Sequence, residues 1–147
     1  NSDACLLMIG DGPLKNKISK KILDLKQTHI KDILQIDWVP ELSSYILISD
    51  LLLMPSSFEG MNLTLLESIA YNKDIILSKF EGIREIKKFS NSCHLINKFD
   101  ESIWANKIHE RLSHKIKNKK ENNFNEKFLA NFSDYECVNS FQKSINF

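Results

Sequence analysis

Five short, almost unbroken apolar runs constrain this chain more than any other feature. They are Cys5-Leu-Leu-Met-Ile9, Ile33-Leu-Gln-Ile36, Leu51-Leu-Leu-Met54, Ile75-Ile-Leu77 and the weaker His94-Leu-Ile96. A strand with one wet face alternates polar and apolar residues; these runs do not, so they predict strands covered on both faces. Helical patterns separate them. Leu14, Ile18, Ile22 and Leu25 share one face of a helix over 14–27 whose other face carries lysines. Shorter helices are expected over 41–48, 62–71 and 83–89. Strands alternating with helices define an α/β fold, a parallel sheet with helices on both faces. The strands, numbered one to five, are expected in the order 2-1-3-4-5. Ligands of such sheets bind beyond the carboxyl ends of the strands. The loops 10–13, 37–40, 55–61 and 78–82 therefore share one functional edge.

With 147 residues, of which 42% are hydrophobic, the chain is long enough for one buried core. A formal charge of +1 gives no whole-chain argument for a nucleic-acid partner. The basic residues are mostly lysine, which with the many Ile and Asn residues suggests an A/T-rich genome. Cys5, Cys93 and Cys137 are odd in number and far apart. They suit free thiols in a reducing compartment, and a cytoplasmic location is expected. No pair has zinc-ligand spacing, and no metal is expected. No apolar run approaches the ~20 residues of a membrane span.

The whole of 1–147 is expected to be a single, partial domain, with 124–147 as a helical tail. Trp104, Ile108, Leu112 and Ile116 predict a helix over 100–116. The polar, lysine-rich stretch from Lys115 to Asn125 could touch anionic lipid head groups, giving a peripheral membrane contact. Ser133 and Glu136 form a capping-box pattern before a last helix carrying Val138, Phe141 and Ile145.

The chemistry concentrates in 55–71, Pro-Ser-Ser-Phe-Glu-Gly-Met-Asn-Leu-Thr-Leu-Leu-Glu-Ser-Ile-Ala-Tyr. A strand ends at Met54, a turn presents Glu59, and a helix begins near Asn62. The amides of Gly60, Met61, Asn62 and Leu63 then point into the ligand edge, where free N–H groups and the helix dipole favour anions. Gly60 lets a ligand approach the backbone. On a helical wheel Leu63, Leu65, Leu66, Ile69 and Ala70 form the expected buried arc. Glu67 stands at its border, where a carboxylate can accept from ribose hydroxyls. Glu59 can accept from a second polyol such as a hexose. Two isolated glutamates are more often plain surface residues; the company they keep is what raises these.

Leu7-Met-Ile-Gly-Asp-Gly-Pro-Leu14, Asp50-Leu-Leu-Leu-Met-Pro-Ser-Ser-Phe-Glu-Gly60, the pair Glu59 and Glu67 with seven residues between, and Phe132-Ser133 occur in that order. Together they resemble the donor-binding C-terminal domain of retaining GT-B glycosyltransferases, specifically glycosyltransferase family four. The resemblance is clear from residue 5 to about 89 and looser beyond. It implies a Rossmann-like domain, with an extra strand between the first and third, that binds a nucleoside diphosphate sugar and transfers the sugar to a glycan or lipid acceptor with retained configuration. Bacterial polysaccharide biosynthesis is the expected setting. Glu59 would orient the transferred sugar, the Gly60 to Leu63 amides would hold the sugar or its phosphates, and Glu67 would accept from the ribose. The 37–40 loop would border the base through backbone near Val39. No cofactor is implied, since the nucleotide sugar is a substrate. The resemblance also implies an N-terminal acceptor domain and an Arg–Lys pair gripping the diphosphate, neither of them within this chain. The chain alone is therefore expected to bind nucleoside diphosphates weakly and to be inactive.

The chain departs from that family at several places. Asn62 stands where Gly or Pro is usual, and Asn72-Lys73-Asp74 replaces Gly-x-Pro. Asn72 is a fitting substitute as a left-handed helix cap, and Asp74 is expected to lose only a rigid turn. Glu81 replaces a Gly near the phosphates, where a carboxylate repels a diphosphate unless it points away. A degenerate, non-catalytic adaptor is the alternative function, and a sugar-nucleotide epimerase of the same fold is a rival enzyme that the Pro-Ser-x-x-Glu-Gly block disfavours. Trp38 has a face to stack on a base, although core or rim packing is the commoner use of such a residue. The four histidines have no partners in spacing, so ordinary structural roles are expected of them.

Overall fold

The computed structural model describes residues 4–27, 32–56, 62–80, 83 and 90–117. The expected 83–89 helix, apart from Ile83, and the 124–147 tail lie outside them. The chain divides into two compact units, Asn1–Leu42 and Ser43–Phe147.

The first unit holds β1 (Leu6–Ile9), α1 (Lys15–Gln27) and β2 (Ile33–Ile36). The two strands pair in parallel, Leu6 beside Ile33 and Ile9 beside Ile36. Gly10, at a φ of 135° that L side chains rarely adopt, turns the chain out of β1, and its N–H donates to Ile36 O at 3.1 Å. Ser19 on α1 donates to Gln35 Oε1 at 2.7 Å, which fastens the helix to β2. Full burial of these strands was expected and is not found: Leu6 is 42% and Leu34 53% exposed. In a two-stranded sheet both strands are edges, and one helix covers only one face.

The second unit comprises α2 (Ser43–Ile48), β3 (Leu52–Met54), α3 (Leu63–Ala70), β4 (Ile75–Ser78), β5 (Cys93–Ile96) and a helix over Glu101–Lys117, here α4. Its sheet is parallel in the order β3-β4-β5. β4, the central strand, is buried along its whole length. Met54, Leu65, Ile69, Ile75, Leu77, Ile83 and Cys93 form the core. Alternation along β4 gives Ile75 and Leu77 to this cluster under α3 and turns Ile76, with its neighbour His94, to the opposite face. Asp100 begins α4, its Oδ1 accepting from the N–H groups of Ser102 at 2.9 Å and Ile103 at 3.2 Å.

The local orders 2-1 and 3-4-5 agree with expectation. β1 and β3 belong to different sheets and are not hydrogen-bonded neighbours.

One cluster ties α4 to the sheet. Asp74, just before β4, lies 2.7 Å from His94 Nε2 through Oδ1, and accepts from Arg111 Nε at 2.7 Å through Oδ2. An ionised carboxylate only accepts, so His94 carries its proton on Nε2. Burial pushes the Asp74 pKa up, but the hydrogen bonds from His94 and Arg111 outweigh it and hold the group below its ordinary value. Asp74 thus does more than vacate a rigid turn.

Candidate functional site at the carboxyl ends of the strands

β3 is followed by Pro55 and Ser56, and α3 begins after an N-cap at Asn62. The Asn62 side-chain oxygen accepts from Leu65 N–H at 3.1 Å, satisfying one of the helix's orphan donors. A Gly or Pro at this position lacks that bond. Asn62→Ala is expected to destabilise the protein by about 1 kcal/mol, read as a lower urea midpoint at unchanged slope.

At its other end α3 closes with Asn72 at φ 52°, whose N–H donates to Ile69 O at 2.9 Å, while Lys73 N–H reaches Ser68 O at 2.9 Å. This is the Schellman pattern, with Asn in the left-handed position expected of it.

The burial of α3 differs from the expected arc. Leu65, Ser68 and Ile69 are buried, Leu66 and Ala70 half-buried, and Leu63 is 69% exposed. The arc is centred on Leu65 and Ile69. Leu63 sits roughly 160° around the helix from Leu65, beside Glu67 on the open face. Ser68 takes the place Leu63 was given, its hydroxyl satisfied by Thr64 O at 2.6 Å.

Of the expected site residues, Glu59, Gly60 and Met61 lie outside the described residues. Asn62 is the half-buried cap, Leu63 the exposed first residue of α3, and Glu67 an exposed residue one turn further on. No hydrogen bond or ion pair occupies the Glu67 carboxylate among the described residues, so it is open to a ligand hydroxyl. Val39 is half-buried in the first unit, next to Trp38, which is 71% exposed. Ser78 ends β4 in the second unit; its buried hydroxyl has no hydrogen-bond partner among the described residues. Among the described residues no three His, Cys, Asp or Glu side chains are grouped to hold a metal ion. No described helix is long and apolar enough to cross a membrane.

In the first unit Lys15 Nζ lies 2.5 Å from Asp37 Oδ1 and 3.8 Å from Asp11 Oδ1. Asp11 Oδ1 also accepts from Gly12 N–H at 2.8 Å. The Asp37 carboxylate raises the Lys15 pKa above its usual value. Asp11 and Lys15 have the spacing of neighbours on a helix, a signal visible in sequence; Asp37 joins them only because β1 and β2 pair in parallel.

Parallel strands alternating with helices make a Rossmann-like α/β fold of the GT-B type. Residues 1–128 match the profile of the glycosyl transferases group 1, and the chain belongs to that family. Among solved structures it is similar to a chain of one described as the GtfA/B complex, with a TM-score of 0.73 and 16% identity, covering 97% of this chain and 29% of that one. The likeness is one of fold, and the chain spans less than a third of that protein. No match was found among curated proteins.

Proposed function

We propose that this chain is the donor-binding part of a retaining glycosyltransferase of family four, which takes a sugar from a nucleoside diphosphate sugar and passes it to a glycan or lipid acceptor in the cytoplasm. The observation that carries this reading is the open Glu67 carboxylate on α3, in register with the Pro-Ser-x-x-Glu-Gly block that precedes the helix.

Each residue then has a distinct task. Glu67 accepts from ribose hydroxyls, a strong interaction because the acceptor is charged. Glu59 accepts from hydroxyls of the transferred sugar and so orients its anomeric carbon. Backbone amides from Gly60 to Leu63 face the sugar or its phosphates, with the α3 dipole favouring the diphosphate charge that grows as the leaving group departs. The backbone near Val39 borders the base. The acceptor comes from a further domain.

Titration calorimetry with uridine, guanosine and adenosine diphosphates tests the reading. At least one should bind. Glu67→Gln should weaken that binding by about 1–2 kcal/mol, because an amide is a poorer acceptor than a carboxylate. Glu59→Gln should leave diphosphate affinity unchanged, since its contacts need the sugar. Equal losses in the two variants, or no binding by the wild type, would sink the assignment.

A further inference from the structure

We propose that Ser78 and Lys79, at the carboxyl end of β4, form a subsite for an oxyanion of the donor. This rests on the donor-site reading and deepens it by supplying a cation from within the chain.

The serine hydroxyls at 19, 49, 68 and 102 each donate, to Gln35 Oε1, Ile46 O, Thr64 O and Asp100 Oδ1, and the Ser90 hydroxyl accepts from Ser92 N–H. Ser78 breaks the pattern. It is 5% exposed, and its hydroxyl has no hydrogen-bond partner among the described residues. A hydroxyl buried without a partner costs stability and calls for a reason. Its position supplies one. Ser78 is the last residue of the central strand of β3-β4-β5, and ligands of parallel sheets bind beyond the carboxyl ends of the strands. Met54 pairs with Leu77, so continuing that register sets Pro55, the start of the Pro-Ser-x-x-Glu-Gly block, level with Ser78.

Lys79 follows at once. Its N–H donates to Ile96 O at 3.0 Å, so the ladder to β5 holds the backbone where this side chain leaves it. The side chain is exposed and makes no ion pair among the described residues. Asp100, after β5, is already engaged in capping α4. Alternation turns Ser78 and Lys79 to opposite sides of the strand, but at its end both border the same edge.

An ammonium and a hydroxyl both donate, and their shared match is a charged oxygen. The donor offers two sources, its diphosphate and, where the transferred sugar is acidic, a carboxylate. Binding must shift a side chain at the strand end to reach Ser78, and the bond then forms without stripping water from the serine. Lys79 also offsets, two residues away in sequence, the charge that Glu81 brings.

Calorimetry on the full chain tests the subsite with inorganic pyrophosphate, uridine diphosphate, and its glucose and glucuronate esters. Lys79→Met should weaken the diphosphate and pyrophosphate about fivefold at low salt, the difference should shrink as salt rises, and Lys79→Arg should keep most of the affinity. Ser78→Ala should weaken the same ligands roughly two- to fivefold while leaving the melting temperature unchanged or raised, since it removes an unpaired hydroxyl. If only the glucuronate ester is weakened in both variants, the oxyanion is the sugar's carboxylate and the subsite stands. Unchanged affinity for all four ligands in Lys79→Met would overturn it. A lower melting temperature with unchanged affinity in Ser78→Ala would make that hydroxyl structural and remove it from the subsite. If pyrophosphate binds and is weakened in Lys79→Met but no nucleotide binds better than pyrophosphate, the oxyanion subsite survives and the donor-site reading falls. If nothing binds to the wild type, both fall.

Discussion

Lys73→Met is expected to lower the stability of the protein by about 2–4 kcal/mol. Lys73 is only 2% exposed, an unusual place for an ammonium group. Its Nζ donates to Leu47 O at 2.5 Å and Ser49 O at 3.2 Å, at the carboxyl end of α2. There the helix leaves carbonyls unpaired and its dipole favours a cation. Methionine fills a similar volume but donates nothing, so two carbonyls lose a charged partner. The cost exceeds that of an ordinary hydrogen bond because water cannot easily replace the lost donor. Urea denaturation gives the measurement, and a loss below about 0.5 kcal/mol would show that Lys73 does not hold α2.

The second large effect is expected at Asp74. Its removal in Asp74→Ala strands Arg111 and His94, both half-buried, with no carboxylate between them. A loss of about 2–3 kcal/mol is expected, below the full penalty of breaking a deeply buried pair because water reaches the cluster in part. The effect has a pH signature. The pKa of Asp74 is lowered on folding from an ordinary value of 3.8. A carboxylate with a lowered folded pKa contributes its stability above the unfolded value and loses it as pH falls through the folded one. Wild type and Asp74→Ala should therefore differ most from about pH 5 upward and converge in strong acid. A difference that stays constant down to pH 2 would show that the charge on Asp74 is not what stabilises α4 against the sheet.

How far the sequence reveals this molecule depends on the range of the interactions involved. β4 and α3 are legible because their signals are local: an unbroken apolar run, and a helix bounded by residues that suit its two ends. Asn72 is the clearest case, since the left-handed position it fills follows from its place after the last helical turn. Leu63 shows the limit. An apolar residue in the first turn of a short helix looks like core, but its side depends on where the arc is centred, and a buried serine shifts that centre. Asp74 shows a further limit. Its partners stand 20 and 37 residues away, and neither spacing carries a pattern. The same holds for the Asp37–Lys15 pair, which exists only because two strands lie in register. Within the candidate site, Glu67 stands on the open face of α3, away from the buried arc rather than at its expected border, and the cap made by Asn62 was hidden behind its being an unusual residue there.

Residues 72 to 74 also bear on how this part of the chain can change over time. Asn72 supplies the hand of the backbone, Lys73 an inward-turned cation, and Asp74 an anion shared by two elements. Adding or removing one residue would move all three out of phase at once, and no single replacement elsewhere would restore them. The α3–β4 connection should thus keep a fixed length among descendants of this sequence, and gaps should accumulate elsewhere. Substitutions within it should arrive as matched sets, with a change at 74 accompanied by changes at 94 and 111.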